Sequence, residues 1–239
     1  MLGQAPGAGR QRHVSGGGEA RPRRGKGRLR VNEIFFSLQG ESTYAGFPCA
    51  FIRLTGCDQR CRWCDTEYAF HAGRDLTVDE VLAAVDRFGT RLVEVTGGEP
   101  LLQPAVFPLV RRLRGRGYRV LVETGGSRDI SGLDPGAVVV LDLKCPASGM
   151  SDRVRWENLA HLRRKDQVKF VVADRRDYEW AREVIRTHRL PAGCPVLFSP
   201  VHGELPPATL AAWILEDRLP ARLQLQLHKL LWGAETRGV

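Results

Sequence analysis

Beyond residue 30 the chain alternates short β-branched and aliphatic runs with longer stretches whose apolar residues recur at helical spacing. The apolar runs fall at 50–54, 92–95, 119–123, 138–141, 168–172 and 195–199, and their nearly continuous hydrophobic character predicts strands covered on both faces. The helical stretches fall between them, at 77–88, 104–114, 177–188 and 207–216. Thr77 followed three residues later by Glu80 has the layout of a capping box, which starts the first of these helices. Strand–helix alternation of this kind predicts an α/β fold with a mainly parallel sheet. The segment between Glu123 and Val138 is too short and too rich in Gly and Pro for a crossover helix. About six strands with fewer helices than strands imply a partial, open (βα) barrel, in which ligands sit at the carboxyl ends of the strands.

Residues 1–30 lack that patterning. They are rich in Gly, Arg and Pro and hold eight of the 36 basic residues against one of the 27 acids, which leaves residues 31–239 at +2 of the chain's net +9. The expected organisation is therefore a disordered basic extension over 1–30 and one catalytic domain over 31–239. A basic arm without interleaved aromatic residues is weak support for nucleic-acid binding, so nucleic acid is not the expected partner. With 43% apolar and 26% charged residues the whole chain has an ordinary globular composition, and its apolar runs are far too short to span a bilayer. A cytoplasmic protein with no membrane partner is expected.

The chemistry concentrates at the carboxyl ends of the predicted strands. Cys57, Cys61 and Cys64 follow the first strand at a spacing of three residues and then two. Three thiolates in one short loop suit three corners of a cubic iron–sulfur cluster whose fourth iron has no protein ligand. A tetrahedral zinc site would need a fourth ligand, for which Cys49 and His71 are the nearest residues, and a zinc-binding nucleic-acid module is the alternative this leaves. Six cysteines with three in one loop read as metal ligands in a reducing compartment, and Cys49, Cys145 and Cys194 as small buried residues. The second strand runs into Gly97-Gly98-Glu99-Pro100, where two glycines allow close approach to a ligand and Glu99 can accept from an ammonium. Further polar groups follow the later strands at Glu123-Thr124-Gly125-Gly126, at Asp142-Leu143-Lys144 and at Ser199.

The cysteine spacing together with Gly97-Gly98-Glu99-Pro100 resembles the radical S-adenosylmethionine enzymes. The run Ile34 to Ser42, the run Phe51 to Cys57, Cys64-Asp65-Thr66, Asp142-Leu143-Lys144 and Leu225-Gln226-Leu227-His228-Lys229 resemble the 7-carboxy-7-deazaguanine synthase family over about residues 31–239. The resemblance implies a [4Fe-4S] cluster on Cys57, Cys61 and Cys64, S-adenosylmethionine on its open iron, and a deoxyadenosyl radical that takes hydrogen from C6 of 6-carboxy-5,6,7,8-tetrahydropterin. It implies ring contraction to 7-carboxy-7-deazaguanine with loss of ammonia, a step toward queuosine and other deazapurines, with no catalytic side chain beyond the cofactors. By the same resemblance Leu38, Gln39, Gly40, Glu41, Arg53, Thr96 and His228 meet the substrate, and Trp63, Cys64, Asp65, Gly98, Glu99, Asp142, Leu143, Lys144 and Ser199 meet S-adenosylmethionine. Thr66 is matched to a Mg2+ ligand. A flavodoxin- or ferredoxin-type electron donor and a homodimer complete the expectation. Arg53 has the planar fork that suits a carboxylate, although an Arg at a strand end also pairs readily with a neighbouring acid. Within the superfamily the alternative is an activase that makes a glycyl radical on a partner protein.

Overall fold

The structure, a computed structural model, describes residues 27–188 and 190–239. Among these, nine strands form one sheet: β1 (Arg28–Leu38), β2 (Pro48–Leu54), β3 (Arg74–Thr77), β4 (Leu92–Gly97), β5 (Arg119–Thr124), β6 (Val138–Asp142), β7 (Gln167–Val172), β8 (Val196–Pro200) and β9 (Arg222–Leu223). Their order is β3-β1-β2-β4-β5-β6-β7-β8-β9, so the sheet curls without closing. The six expected strands are its parallel body, β2 and β4 to β8. Two antiparallel strands, β1 and β3, extend one edge, and β9 extends the other. Arg28, Leu29 and Arg30 pair with Thr77, Leu76 and Asp75, so strand structure begins inside the segment expected as a tail. The expectation over 1–26 lies outside the described residues. Leu29 is wholly buried, which is the physical reason the strand starts so early.

The helices α1 (Val78–Asp86), α2 (Val106–Gly115), α3 (Arg175–Thr187) and α4 (Pro207–Glu216) lie within two residues of their expected spans at every end. The Thr77 hydroxyl accepts from the Glu80 amide at 3.2 Å while the Glu80 carboxylate accepts from the Thr77 amide at 2.7 Å, completing the capping box. No α-helix lies between β5 and β6 or between β6 and β7, and 3-10 turns fill the latter gap. A short α5 (Leu227–Trp232) ends the fold. Among the described residues, no helix is long and apolar enough to cross a membrane.

Strand alternation divides the molecule into two environments. Outward residues such as Val93, Val95, Val120, Val122, Val139, Leu141, Val168 and Phe170 pack under α1 to α4 in one continuous core. Inward residues form a small apolar plug at the base, where Cys49, Phe51, Leu92, Leu121 and Val138 meet and Phe35 stacks on Phe51 at 4.8 Å. Above that plug the inward positions turn polar.

Candidate active site

A cavity of about 600 Å³ opens over the polar layer at the carboxyl ends of the strands. The cysteine loop forms one wall. Gly56, at φ +101°, turns the chain out of β2 into this loop. The loop is then tied to its neighbours: the Glu99 amide donates to Gly56 O at 2.8 Å, Gln59 Nε2 to Gly125 O at 3.3 Å, and the Arg62 amide to Ser148 O at 3.1 Å. A β-carbon on Gly98 would lie 2.3 Å from Gly56 O and 2.7 Å from Cys57 Cβ, so only glycine lets the two loops meet. Cys57, Cys61 and Cys64 all line the cavity as free, half-buried thiols. Burial pushes each of them up, so deprotonation accompanies metal binding.

Charged groups fill the floor. Lys169 Nζ on β7 contacts Glu123 at 2.5 Å, Glu41 at 2.7 Å and Asp142 at 3.4 Å, and Lys144 contacts Asp142 at 2.8 Å. Burial alone would raise Glu41 and Asp142, but Lys169 beside Glu41 and Lys144 with Lys169 beside Asp142 hold both carboxyls below their usual range. Glu41 also accepts from Gln226 at 2.9 Å and Gln224 at 3.1 Å, so it ties the loop after β1 to the C-terminal segment. Gln39 is fixed at both ends of its amide: Oε1 accepts from the Glu41 amide at 3.0 Å and Nε2 donates to Glu94.

Arg53, on β2, uses Nε on Glu33 at 2.7 Å, and Glu33 also accepts from the Tyr68 hydroxyl at 2.9 Å. The Arg53 terminal nitrogens make no hydrogen bond to the described residues, and the side chain lines the cavity. Arg53 thus has the acid partner its alternative reading anticipated and still keeps two donors for a ligand. His228 on α5 packs on Gly40 so closely that a β-carbon there would lie 2.2 Å from its Nδ1. Lys229 clamps α5 to the cysteine loop through Asp65 at 2.6 Å. Burial lowers His228, which favours its neutral form.

The structure brings Leu38, Gln39, Gly40, Glu41, Arg53, Thr96, His228, Trp63, Asp65, Thr66, Gly98, Asp142 and Lys144 into this cavity with the three cysteines. Three expected contacts do not line it. Glu99 is buried beneath, accepting from the Leu101 amide, the Thr124 hydroxyl and the Gly125 amide, so its carboxylate braces the loop. Burial is the main reason its carboxyl rises to about 7. Leu143 turns into the outer core, and Ser199 is buried below the rim. Asp142 Oδ1 and Ser199 Oγ are buried without a partner, an arrangement that calls for a polar ligand at this end of β6 and β8. The three thiols on one wall, the glycine cradle at Gly98 and the orphaned Asp142 oxygen fit a thiolate-held cluster with an amino-acid-bearing cofactor beside it.

Residues 51–140 match the family model of the Radical SAM superfamily. The 7-carboxy-7-deazaguanine synthase of Koribacter versatilis is 46% identical, the match covering 88% of this chain and 100% of the relative. That of Chlorobaculum tepidum is 45% identical over 88% of this chain and 97% of the relative. The chain belongs to the 7-carboxy-7-deazaguanine synthase family. The crystal structure of QueE from Escherichia coli superposes with a TM-score of 0.72 at 25% identity, covering 84% of this chain and 95% of that one. Membership in a radical S-adenosylmethionine family implies an iron–sulfur cluster and S-adenosylmethionine, and it replaces both the activase and the zinc readings.

Sequence reasoning missed Glu94 and Lys169, and it placed Glu123 at the rim and Gln226 and Lys229 in a motif without giving them a role; all five line the cavity. The signal was a charge inside an apolar strand run, as in Leu92-Val93-Glu94-Val95 and Val168-Lys169-Phe170. A lone charge at such a position must be paired or functional.

Proposed function

We propose that this cavity converts 6-carboxy-5,6,7,8-tetrahydropterin to 7-carboxy-7-deazaguanine and ammonia, a step toward queuosine and related deazapurines. The observation that carries this reading is that the three cluster thiols and the unfilled donors of Arg53 line one cavity. When bound, the cluster on Cys57, Cys61 and Cys64 and S-adenosylmethionine supply the radical that removes hydrogen from the substrate. The chain's own residues place the substrate and keep other hydrogen donors away. Arg53 takes the substrate carboxylate with its two terminal nitrogens, its approach fixed by Glu33 and by the flanking rings of Phe35 and Tyr68. Gln39, the Leu38 and Gly40 backbone, Thr96 and His228 border the heterocycle, while Glu41 acts through Gln39 and the C-terminal glutamines.

Trp63, Asp65, Gly98 and Lys144 border S-adenosylmethionine, and the free oxygen of Asp142 accepts from its ammonium or ribose. Glu99, Leu143 and Ser199 act from behind this layer by shaping the loops. Thr66, whose hydroxyl donates to Asp65 at 2.9 Å, offers oxygen to a Mg2+ ion that keeps open positions for the substrate. A flavodoxin- or ferredoxin-type donor supplies the electron, and the same reading includes a homodimer in the cytoplasm, where six free cysteines suit a reducing medium.

Arg53→Lys tests the reading. Under anaerobic conditions the parent should turn over the carboxytetrahydropterin, and the variant, which keeps the charge and loses the fork, should bind it more weakly by about 1.5–3 kcal/mol. Cleavage of S-adenosylmethionine without substrate should persist. A parent that never consumes this pterin, or a variant that binds it as tightly as the parent, contradicts the assignment.

A further inference from the structure

The polar floor contains more carboxyl than ammonium groups: Glu41, Glu94, Glu123 and Asp142 surround only Lys144 and Lys169. Lys169 reaches Glu41, Glu123 and Asp142, whereas Glu94 has no cation within ion-pairing distance among the described residues. Glu94 is only 4% exposed, yet it lines the cavity from the middle of β4, one inward position below Thr96. The groups packed around it are Gln39 and Glu41 from the loop after β1, the Cys49 thiol from β2 and Glu123 from β5. Gln39 Nε2 donates to Glu94 Oε2, so one carboxyl oxygen is held, and Glu123 lies within hydrogen-bonding reach of the same carboxyl. A buried carboxyl beside a second carboxyl resists ionisation. Lys169 Nζ contacts Glu123 at 2.5 Å, and burial followed by the neighbouring Glu123 pushes Glu94 well above the ordinary carboxyl range. The unpartnered Oδ1 of Asp142, at the same floor, shows that this layer is built around a polar ligand.

We propose that Glu94 carries a proton held between it and Glu123 and delivers it to the nitrogen that leaves the substrate. This rests on the function proposed above, whose product is smaller than its substrate by one ammonia. The carbon–nitrogen bond breaks with its electron pair on nitrogen, and nitrogen takes the proton from Glu94 and departs. A ring C–H bond then gives its proton to the Glu94 carboxylate and its electron pair to the new ring double bond. The proton lent is regained and no redox partner is needed. Lys169 and Gln39 are positioning residues for this exchange, since one holds Glu123 and the other holds the Glu94 carboxyl.

Glu94→Gln keeps the size of the side chain and a hydrogen bond to Gln39 but has no transferable proton. With the full chain carrying its cluster and a substrate deuterated at C6, product formation should fall about 100-fold or more, the range for loss of a general acid. Deuterium transfer to 5′-deoxyadenosine should stay within about threefold of the parent. Glu94→Asp should recover part of the rate. The decline of the parent's kcat as pH rises through the Glu94 titration should be absent in Glu94→Gln. A Glu94→Gln enzyme that forms product at the parental rate overturns the proposal. So does parallel loss of product and deuterium transfer in both variants, which would make Glu94 structural. A parent that leaves the carboxytetrahydropterin untouched overturns the substrate assignment together with this step, whereas the first two results overturn this step alone.

Discussion

The outer and inner faces of the one sheet are made by alternate residues of the same strands, and they do opposite work. On β4 the outward Val93 and Val95 join a core that runs under four helices, while the inward Glu94 and Thr96 face the cavity. On β5 Val122 faces out and Glu123 in, and on β7 Val168 and Phe170 face out with Lys169 between them facing in. Only the base of the inner face is apolar, where Phe51, Leu92, Leu121 and Val138 plug the half-barrel. Stability is therefore gathered outside, and the inside is free to hold charges that a core would not tolerate. The buried floor is expensive, and what offsets that cost is pairing: Lys169 to three carboxylates and Lys144 to a fourth contact.

The division can be broken from the outside. Leu109 of α2 is wholly buried in the outer core, and Leu109→Ala should lower the unfolding free energy by about 2–5 kcal/mol. Denaturant melts should show that loss, while substrate affinity of the folded enzyme stays at the parental value. A variant that keeps its stability but loses affinity would mean that the two faces are not separable.

The parallel body was legible because a strand covered on both sides leaves a short, nearly continuous apolar run. The ends of the sheet were not. β1 reaches back to Arg28 inside a stretch dominated by Gly and Arg, and only Leu29 and Val31 mark its buried side. β9 is two residues long and α5 six, too short for any period to show. Within the site, residues in compact loops were readable from spacing, as with Cys57, Cys61 and Cys64. Those whose role depends on strands distant in sequence were not, since nothing local in Val168-Lys169-Phe170 says that Glu41, Glu123 and Asp142 will meet the ammonium. Glu99 shows the converse limit: its motif was visible, but its carboxylate serves the loop and not the cavity wall.

A smaller effect sharpens the comparison at the rim. Ser42, next to Glu41, sits at φ +63°, in the left-handed region that costs a residue with a β-carbon. Its hydroxyl offsets part of this by accepting from the Tyr44 amide at 3.1 Å. Ser42→Ala keeps the strain and loses that bond, whereas Ser42→Gly loses the bond and relieves the strain. The alanine variant should be less stable than the glycine variant by about 1 kcal/mol. Equal stabilities would show that the turn carries no strain, and that the inner rim is as relaxed as the outer core.

The central claim is that three thiols on the inner face hold the cluster and that the buried cysteines belong to packing. Iron content after anaerobic reconstitution tests it most directly. Cys57→Ala, Cys61→Ala and Cys64→Ala should each lose the cluster iron and all turnover, while Cys145→Ala and Cys194→Ala, whose thiols lie in the outer core, should keep both. Iron lost from either of the last two, or retained with full turnover in any of the first three, would contradict it.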